Sequence, residues 1–332
     1  MSNTYRAMLV AETTESTYER TIITQSINDL PEGDVLIEVH YSSLNYKDAL
    51  SATGNKGVTR NFPHTPGIDT AGIVKESSSD LFNIGDEVIV TGYDLGMNTA
   101  GGFGEYIRVP AQWVVPCPKS LSLKKSMVYG TAGFTAALSV YKLVNSGVRP
   151  EAGDILVTGA TGGVGSIAIA LLSKLGYNVI GSTGKIHEKK LLQAIGVKDI
   201  IDRKELNDDS GRPMLKSRWA GVIDTVGGNT LATAIKTTQY GGSVTCCGNV
   251  ADHNFSASVY PFILRGVSLL GIDSVQCPMP LRTEIWEKLS GDWRIDTPEG
   301  SFNEVSLDKL DSCIDDILAG KHVGRTIVNL SL

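Results

Sequence analysis

The chain has 332 residues, 30 basic and 36 acidic side chains, a net charge of −6 and 42% apolar residues. That length predicts about two domains, each able to bury a core, and the apolar content excludes a mainly disordered chain. No run of Lys and Arg marks a nucleic-acid face, so no nucleic-acid partner is expected, while small anionic ligands stay open.

Over the first 120 or so residues, short runs with turn signals follow one another: YRAMLVAE, ERTIITQ, DVLIEVHYSSL, GIDTAGIVKE, GDEVIVTGY, GGFGEYIRVP and WVVPCP. Alternation at Val35, Ile37 and Val39 is the period-two mark of a half-buried strand, and this part reads as a mostly antiparallel β domain. From about residue 124 the rhythm becomes strand, turn, helix. DILVTG (154–159) precedes a helix over 165–176, YNVIGS (177–182) a helix over 188–195, and KDIID (198–202) follows. AGVIDTV (220–226) leads into the helix LATAIKTTQ, then GGSVTCCG (241–248), a PFILRG turn and VSLLGID (267–273). Six β runs separated by helical patterns predict a doubly wound parallel sheet. The tail from 274 is mixed and ends in a strand-like run, GRTIVNLSL, expected to return to the first domain. The predicted division is 1–124 plus 274–332 for the β domain and 125–273 for the domain inserted in it.

Residues 155–173 carry no charge and approach the length of a membrane span. Four glycines in their first half break that reading in favour of strand, turn and helix, so no membrane partner is expected. Cys117, Cys246, Cys247, Cys277 and Cys313 form no CxxC pair, which predicts a reduced, cytoplasmic protein without structural zinc. Cys246 and Cys247 are expected to pack in the core. The N-terminal segment shows no basic start followed by an apolar run, so no secretory signal is read there. No two of the five histidines have a metal-ligand spacing.

Glycine supplies 36 residues, about 11% against an average near 7%. The densest cluster is Gly159-Ala160-Thr161-Gly162-Gly163-Val164-Gly165, which follows an apolar strand and opens an amphipathic helix. Such a turn brings backbone close to a pyrophosphate and presents amides at a helix N-terminus, so a dinucleotide site is expected here. NAD-binding versions place an Asp or Glu about 20 residues further on. This chain has Gly181-Ser182-Thr183-Gly184-Lys185 there, with no carboxylate before Glu188, and Arg203 follows the next strand. Those hydroxyls and cations suit a 2′-phosphate and favour NADPH; the alternative reading makes Lys185 and Arg203 solvated loop charges.

Over essentially its whole length the chain resembles the medium-chain dehydrogenase/reductase superfamily. The strings SLNYKDAL (43–50), PGIDTAG (66–72), YGTAGFTAALSV (129–140), DTVGG (224–228), YPFILRGVSLLGIDSV (260–275) and GRTIV (324–328) resemble its acrylyl-CoA reductase and quinone oxidoreductase branch. The resemblance implies a Rossmann domain inserted into a GroES-like domain, NADPH as cofactor, no zinc, and a homodimer in which the VSLLGID edge strand pairs with its twin. In zinc-dependent relatives metal ligands stand where this chain has Asn45, Ile68 and Thr131, and none of these rebuilds a zinc site.

The implied activity is NADPH-dependent reduction of an activated C=C bond, acryloyl-CoA to propanoyl-CoA, with hydride to the β-carbon and a proton to the α-carbon. Alternatives are a quinone or small enone as acceptor and, in a different class, a non-catalytic NADPH-binding protein. Tyr46 is the catalytic candidate. It orients the nicotinamide ribose, bonds the carbonyl or donates the proton; the competing reading makes it pocket wall. Asn45 is its neighbour, donating to substrate or ribose, with Lys47 and Asp48 as local structural partners. Cofactor contacts implied by the resemblance are Tyr46 and Thr131; Thr161, Gly162, Gly163 and Val164 at the pyrophosphate; Ser182, Thr183, Gly184, Lys185 and Arg203 at the adenosine phosphate; Asn249, Ile263 and Ser274 at the nicotinamide half; and Lys321 at a cofactor phosphate. Lys56 and Arg60 are weaker candidates for a coenzyme A tail.

Overall fold

Alternating apolar residues build the first strands of the computed structural model, which describes residues 3–14, 17–296 and 300–332. β1 (Thr4–Glu12) and β2 (Tyr18–Ser26) form an antiparallel ribbon. They are followed by β3 (Val35–Leu44), α1 (Tyr46–Ser51), β4 (Asp69–Ser77), β5 (Glu87–Thr91), β6 (Tyr106–Val109), β7 (Val114–Pro116) and the long α2 (Leu123–Asn145). The strand and helix alternation comprises β8 (Ile155–Thr158), α3 (Gly163–Lys174), β9 (Val179–Thr183), α4 (Lys189–Ala194), β10 (Asp199–Asp202), β11 (Trp219–Asp224), α5 (Gly228–Thr237), β12 (Thr238–Cys246), α6 (Tyr260–Arg265) and β13 (Ser268–Gly271). The tail adds α7 (Met279–Ser290), β14 (Phe302–Ser306), α8 (Leu310–Leu318) and β15 (Arg325–Asn329).

Contacts divide the chain into two compact units: Met1–Thr131, Val275–Ser290 and Phe302–Leu332 in the first, Ala132–Ser274 and Gly291–Ser301 in the second. Besides a one-residue shift that puts Ser274 in the second unit, these boundaries differ from the sequence reading in two places. The first falls inside α2, where Gly130 adopts φ 51, ψ −156 and kinks the helix. The second concerns 291–301, expected with the first domain. Trp293 and Ile295 bury their side chains, and Ile295 shares a hollow with Ala170, Ser173, Ala194 and Gly196 of the second unit.

In the first unit the sheet order is β14-β15-β3-β4-β5-β7, with β6 also on β3. β3 pairs antiparallel with β4 along one edge; its other edge is shared, residues 35–38 pairing with β6 and 41–44 with β15. The C-terminal strand thus comes back to the first sheet, with Thr326 opposite Leu44. Val35, Ile37, Val74, Val88, Ile107 and, from the tail, Leu310, Ile314 and Val328 form one apolar cluster.

In the second unit six parallel strands run in the order β10-β9-β8-β11-β12-β13, the doubly wound arrangement expected from the six β runs. Every residue of β8 is buried, as a parallel strand with both faces covered requires. Three local expectations change. PFILRG is not a turn: Pro261–Arg265 make up all but the first residue of α6, which stops at Gly266 in the left-handed region (φ 60). Thr238 and Gln239, expected to close a helix, open β12. Cys246, half-buried, packs against the apolar cluster of the second unit as expected, whereas Cys247 lies just past β12 and is half-buried; burial pushes its thiol up to about 12. Among the described residues no helix is long and apolar enough to cross a membrane.

Candidate active site

Tyr46 is the first residue of α1, and the residues before it explain its placement. Asn45 is the N-cap, its N–H donating to Asp48 Oδ2 at 2.7 Å, so the third helical residue reaches back to the cap. Asp48 Oδ1 accepts from the Ile68 N–H at 2.8 Å. This carboxyl is fully buried; burial first, and the neighbouring charge of Asp69 second, push it up to about 7, against the two N–H donors. Asp48 is thus the structural partner expected. Lys47 extends half-buried toward Met97 Sδ. Tyr46 is half-buried, and its hydroxyl has no hydrogen-bond partner among the described residues.

Beneath α1 lies a polar cluster that the sequence reading did not assemble. Asp69, with no exposed surface, accepts at Oδ2 from Ser43 Oγ at 2.5 Å and Asn45 Nδ2 at 2.7 Å. Its Oδ1 accepts from Thr131 Oγ1 at 2.6 Å, and the Thr131 N–H lies 2.9 Å from both oxygens. Arg325, 3% exposed, enters from β15: Nη1 donates to Asn45 Oδ1 at 3.1 Å and Leu44 O at 3.2 Å, Nη2 to Ser43 Oγ at 2.7 Å, and Nε to Val128 O at 3.2 Å. Arg325 Nη2 and Asp69 Oδ2 are 3.8 Å apart, with the Ser43 hydroxyl bridging them. Burial lowers the guanidinium below the ordinary arginine range, opposed by Asp69 and Asp48. A side chain at Gly130 would run into Asp69, Ser43 and Arg325, so the kink and the cluster require glycine together.

The cluster revises the role given to Asn45. Both ends of its amide are engaged, Nδ2 with Asp69 and Oδ1 with Arg325, which makes it a support for the start of α1 rather than a substrate donor. Zinc does not fit these residues. Asn45 and Thr131 are committed to Asp69, Ile68 is buried, and a guanidinium occupies the surroundings where a divalent cation would be repelled. Among the described residues no group of three or more His, Cys, Asp or Glu could hold a metal ion.

In the second unit the glycine turn has the geometry the sequence reading asked for. Gly159 takes φ 61, and the Gly162 N–H returns to its carbonyl at 2.9 Å. A side chain at Gly165 would collide with that same carbonyl. Gly162, Gly163 and Val164 open α3 half-exposed, whereas Thr161 is buried. A second buried carboxylate, unforeseen from sequence, supports the turn from the end of β11. Asp224 Oδ1 accepts from Thr158 Oγ1 and Oδ2 from the Gly227 N–H, each at 2.8 Å, and Thr225 Oγ1 donates to the Thr158 carbonyl at 2.9 Å. Burial raises Asp224 above the usual carboxylate range.

At the end of β9, Ser182 and Thr183 are buried, and the Thr183 hydroxyl is shared with Thr161 Oγ1 (3.0 Å) and the Lys185 N–H (3.0 Å). The outward groups are Gly184, the half-buried Lys185 and the exposed Arg203. Arg203 lies flat against Gly184, where an added Cβ would sit 2.9 Å from its Nε. Burial lowers the Lys185 ammonium, with Glu188 opposing. Asn249 is exposed beside Gly227, Ile263 is 68% exposed on α6, and Ser274 is half-buried at the end of the second unit. Lys321 is exposed in the first unit, its N–H on Asp316 O. Lys56 is engaged by Glu12 at 3.0 Å and lies over the rings of Tyr18 and Phe62, and the Arg60 N–H donates to Asn98 Oδ1.

An antiparallel β unit and a six-stranded parallel unit with a glycine turn define the class of a nucleotide-dependent dehydrogenase or reductase. Residues 31–119 match the alcohol dehydrogenase GroES-like domain and residues 163–290 the zinc-binding dehydrogenase family. The chain is 46% identical over 333 residues to the Bacillus subtilis protein named "Putative quinone oxidoreductase YhfP", covering 99% of this chain and 100% of that one. It is 44% identical over 302 residues to the Escherichia coli protein named "Probable acrylyl-CoA reductase AcuI", covering 91% and 93%. Among solved structures, the yhdH oxidoreductase of Salmonella enterica in complex with NADP has a TM-score of 0.94 at 41% identity, covering 98% of this chain and 99% of that one. Bacillus subtilis yhfP with NAD bound has a TM-score of 0.95 at 45% identity, covering 99% and 100%. The chain belongs to the medium-chain dehydrogenase/reductase superfamily, in the branch of the acrylyl-CoA reductases and quinone oxidoreductases, and is an oxidoreductase.

The buried Asp48 carboxyl makes stability depend on pH. Its folded value of about 7 stands above its ordinary 3.8, so the linked stabilisation is complete below about pH 4 and is lost as pH rises through 7. Thermal unfolding from pH 4 to 8 should therefore show a declining Tm for the wild type. Asp48→Asn, less stable throughout, should show a flatter profile; parallel profiles would refute the assignment.

Proposed function

We propose that the protein is an NADPH-dependent reductase of an activated C=C bond, with acryloyl-CoA or a similarly short enoyl thioester as acceptor. The observation that carries the reading is Tyr46. The Asn45 cap and the Asp69 cluster fix the start of its helix, and its own hydroxyl is spent on no neighbour. NADPH, when bound, supplies hydride to the β-carbon of the acceptor. Gly162, Gly163 and Val164, at the start of α3, hold the pyrophosphate. Tyr46 donates to the thioester carbonyl or delivers the proton to the α-carbon, and Thr131, held by Asp69, contacts the cofactor. Asn249, Ile263 and Ser274 contact the nicotinamide half, and Lys321 a phosphate. Relatives at 44% and 40% identity named acrylyl-CoA reductase support the thioester; the relative named as a quinone oxidoreductase, at 46%, supports a quinone or small enone as the second reading.

The choice of NADPH rests on Arg203 against Gly184 and on Lys185, beside a β9 end that offers Thr183 in place of a carboxylate. Relatives solved with NADP and NADPH support it, while another was solved with NAD. A homodimer is supported by β13, an edge strand, and by exposed Val259, Tyr260, Ile263 and Leu264 nearby.

NADPH oxidation measured with acryloyl-CoA, crotonyl-CoA and benzoquinone tests the acceptor. Efficient turnover of acryloyl-CoA is expected, and a drop in kcat of about 10- to 100-fold in Tyr46→Phe. Turnover of the quinone alone would overturn the thioester assignment, and an unchanged kcat would return Tyr46 to the pocket wall. Lys185→Ala combined with Arg203→Ala should weaken NADPH binding at least about tenfold more than NADH binding; equal losses would remove the 2′-phosphate. Sedimentation equilibrium should give twice the chain mass, and a monomer would contradict the edge-strand dimer.

A further inference from the structure

The Asp69 cluster has the form of a crosslink between the entrance to α1 and the segment after the α2 kink. Asn45 and Thr131, 86 residues apart in sequence, both donate to the same buried carboxylate. One guanidinium closes the arrangement. Arg325 spends Nε on the α2 carbonyl of Val128, just before the kink, Nη1 on Leu44 O and Asn45 Oδ1 at the entrance to α1, and Nη2 on the Ser43 hydroxyl that itself donates to Asp69. The β15–β3 register, Thr326 opposite Leu44, delivers it there.

We propose that Arg325, paired with Asp69 through Ser43, is the positioning residue of the site: it is the buried cation that locks Tyr46 at the start of α1 and Thr131 after the α2 kink in one fixed arrangement. The inference rests on the reading of Tyr46 given above. A planar guanidinium is required because its donors leave in fixed directions toward three segments; a lysine ammonium carries the charge but cannot hold carbonyl, amide and hydroxyl at those angles. Bonds relayed through Ser43 and Asn45 also explain why a carboxylate and a guanidinium, both at most 3% exposed, are tolerated side by side.

The test compares wild type, Arg325→Lys and Arg325→Ala. In Arg325→Lys, kcat for NADPH oxidation with the wild type's best acceptor should fall about 10- to 100-fold, the effect of a small displacement of reacting groups. Its NADPH affinity, measured by titration of nucleotide fluorescence, should stay within about threefold, because the glycine turn lies in the other unit. In Arg325→Ala, millimolar guanidinium should recover part of kcat, and ethylammonium should not. Hydrogen exchange should accelerate in 43–49 and 128–133, slow again with guanidinium, and stay unchanged in 155–183. An unchanged kcat in Arg325→Lys, or a fall matched by equal loss of NADPH affinity with no recovery by guanidinium, would overturn the proposal. If Arg325→Ala does not fold, the comparison of kcat with NADPH affinity in Arg325→Lys decides. If the wild type turns over no acceptor, the functional reading fails, and the guanidinium-dependent exchange pattern alone supports or overturns the role of Arg325.

Discussion

A carboxylate with no access to water must find its hydrogen-bond donors inside the protein, and Asp69 finds them on segments far apart in sequence: Ser43 and Asn45 at the end of β3, Thr131 after the α2 kink, with Arg325 of the last strand behind Ser43. Much of the first unit follows from that need. Gly130 is glycine because the carboxylate, the hydroxyl and the guanidinium leave no room for a side chain and because the backbone there turns to φ 51. The C-terminal strand, paired with β3, brings its first residue to the cluster as the counter-cation. Asp48 is the second buried acid of the same neighbourhood, and its repulsion by Asp69 is part of what raises it.

The second unit solves a related problem with a different carboxylate. Asp224 sits under the glycine turn and binds Thr158 on one side and the Gly227 amide on the other. It thereby ties the ends of β8 and β11, the two strands at the middle of the sheet, where the chain order reverses. Dinucleotides bind at such a reversal. The glycines provide closeness and helix-end amides, while the buried acid provides rigidity. Each carboxylate is buried and fixes the backbone around it.

This division between support and contact corrects a natural habit in reading sites. Asn45 adjoins Tyr46 and has a side chain suited to a substrate, yet its amide is consumed at both ends. Thr183 follows the same pattern, its hydroxyl shared with Thr161 Oγ1 and the Lys185 N–H. Tyr46 is the opposite case, a half-buried side chain whose hydroxyl is uncommitted.

The sequence by itself determined what depends on local pattern. Six β runs with helices between them specified the parallel sheet, because burial on both faces demands continuous apolar strands, and the spacing of Gly159, Gly162, Gly163 and Gly165 announced the nucleotide turn, because only glycine permits that approach. Local pattern also misled where a short apolar run fits two structures, as at PFILRG, which became α6 once Pro261 and Gly266 bounded it. Only the tertiary structure decided the polar cluster. Ser43, Asp69, Thr131 and Arg325 are separated by up to 282 residues and share no periodicity, so nothing in the chain order links them. Their association arises from sheet register, which sets Arg325 beside the end of β3, and from the exclusion of water, which leaves the buried charges only protein groups as partners.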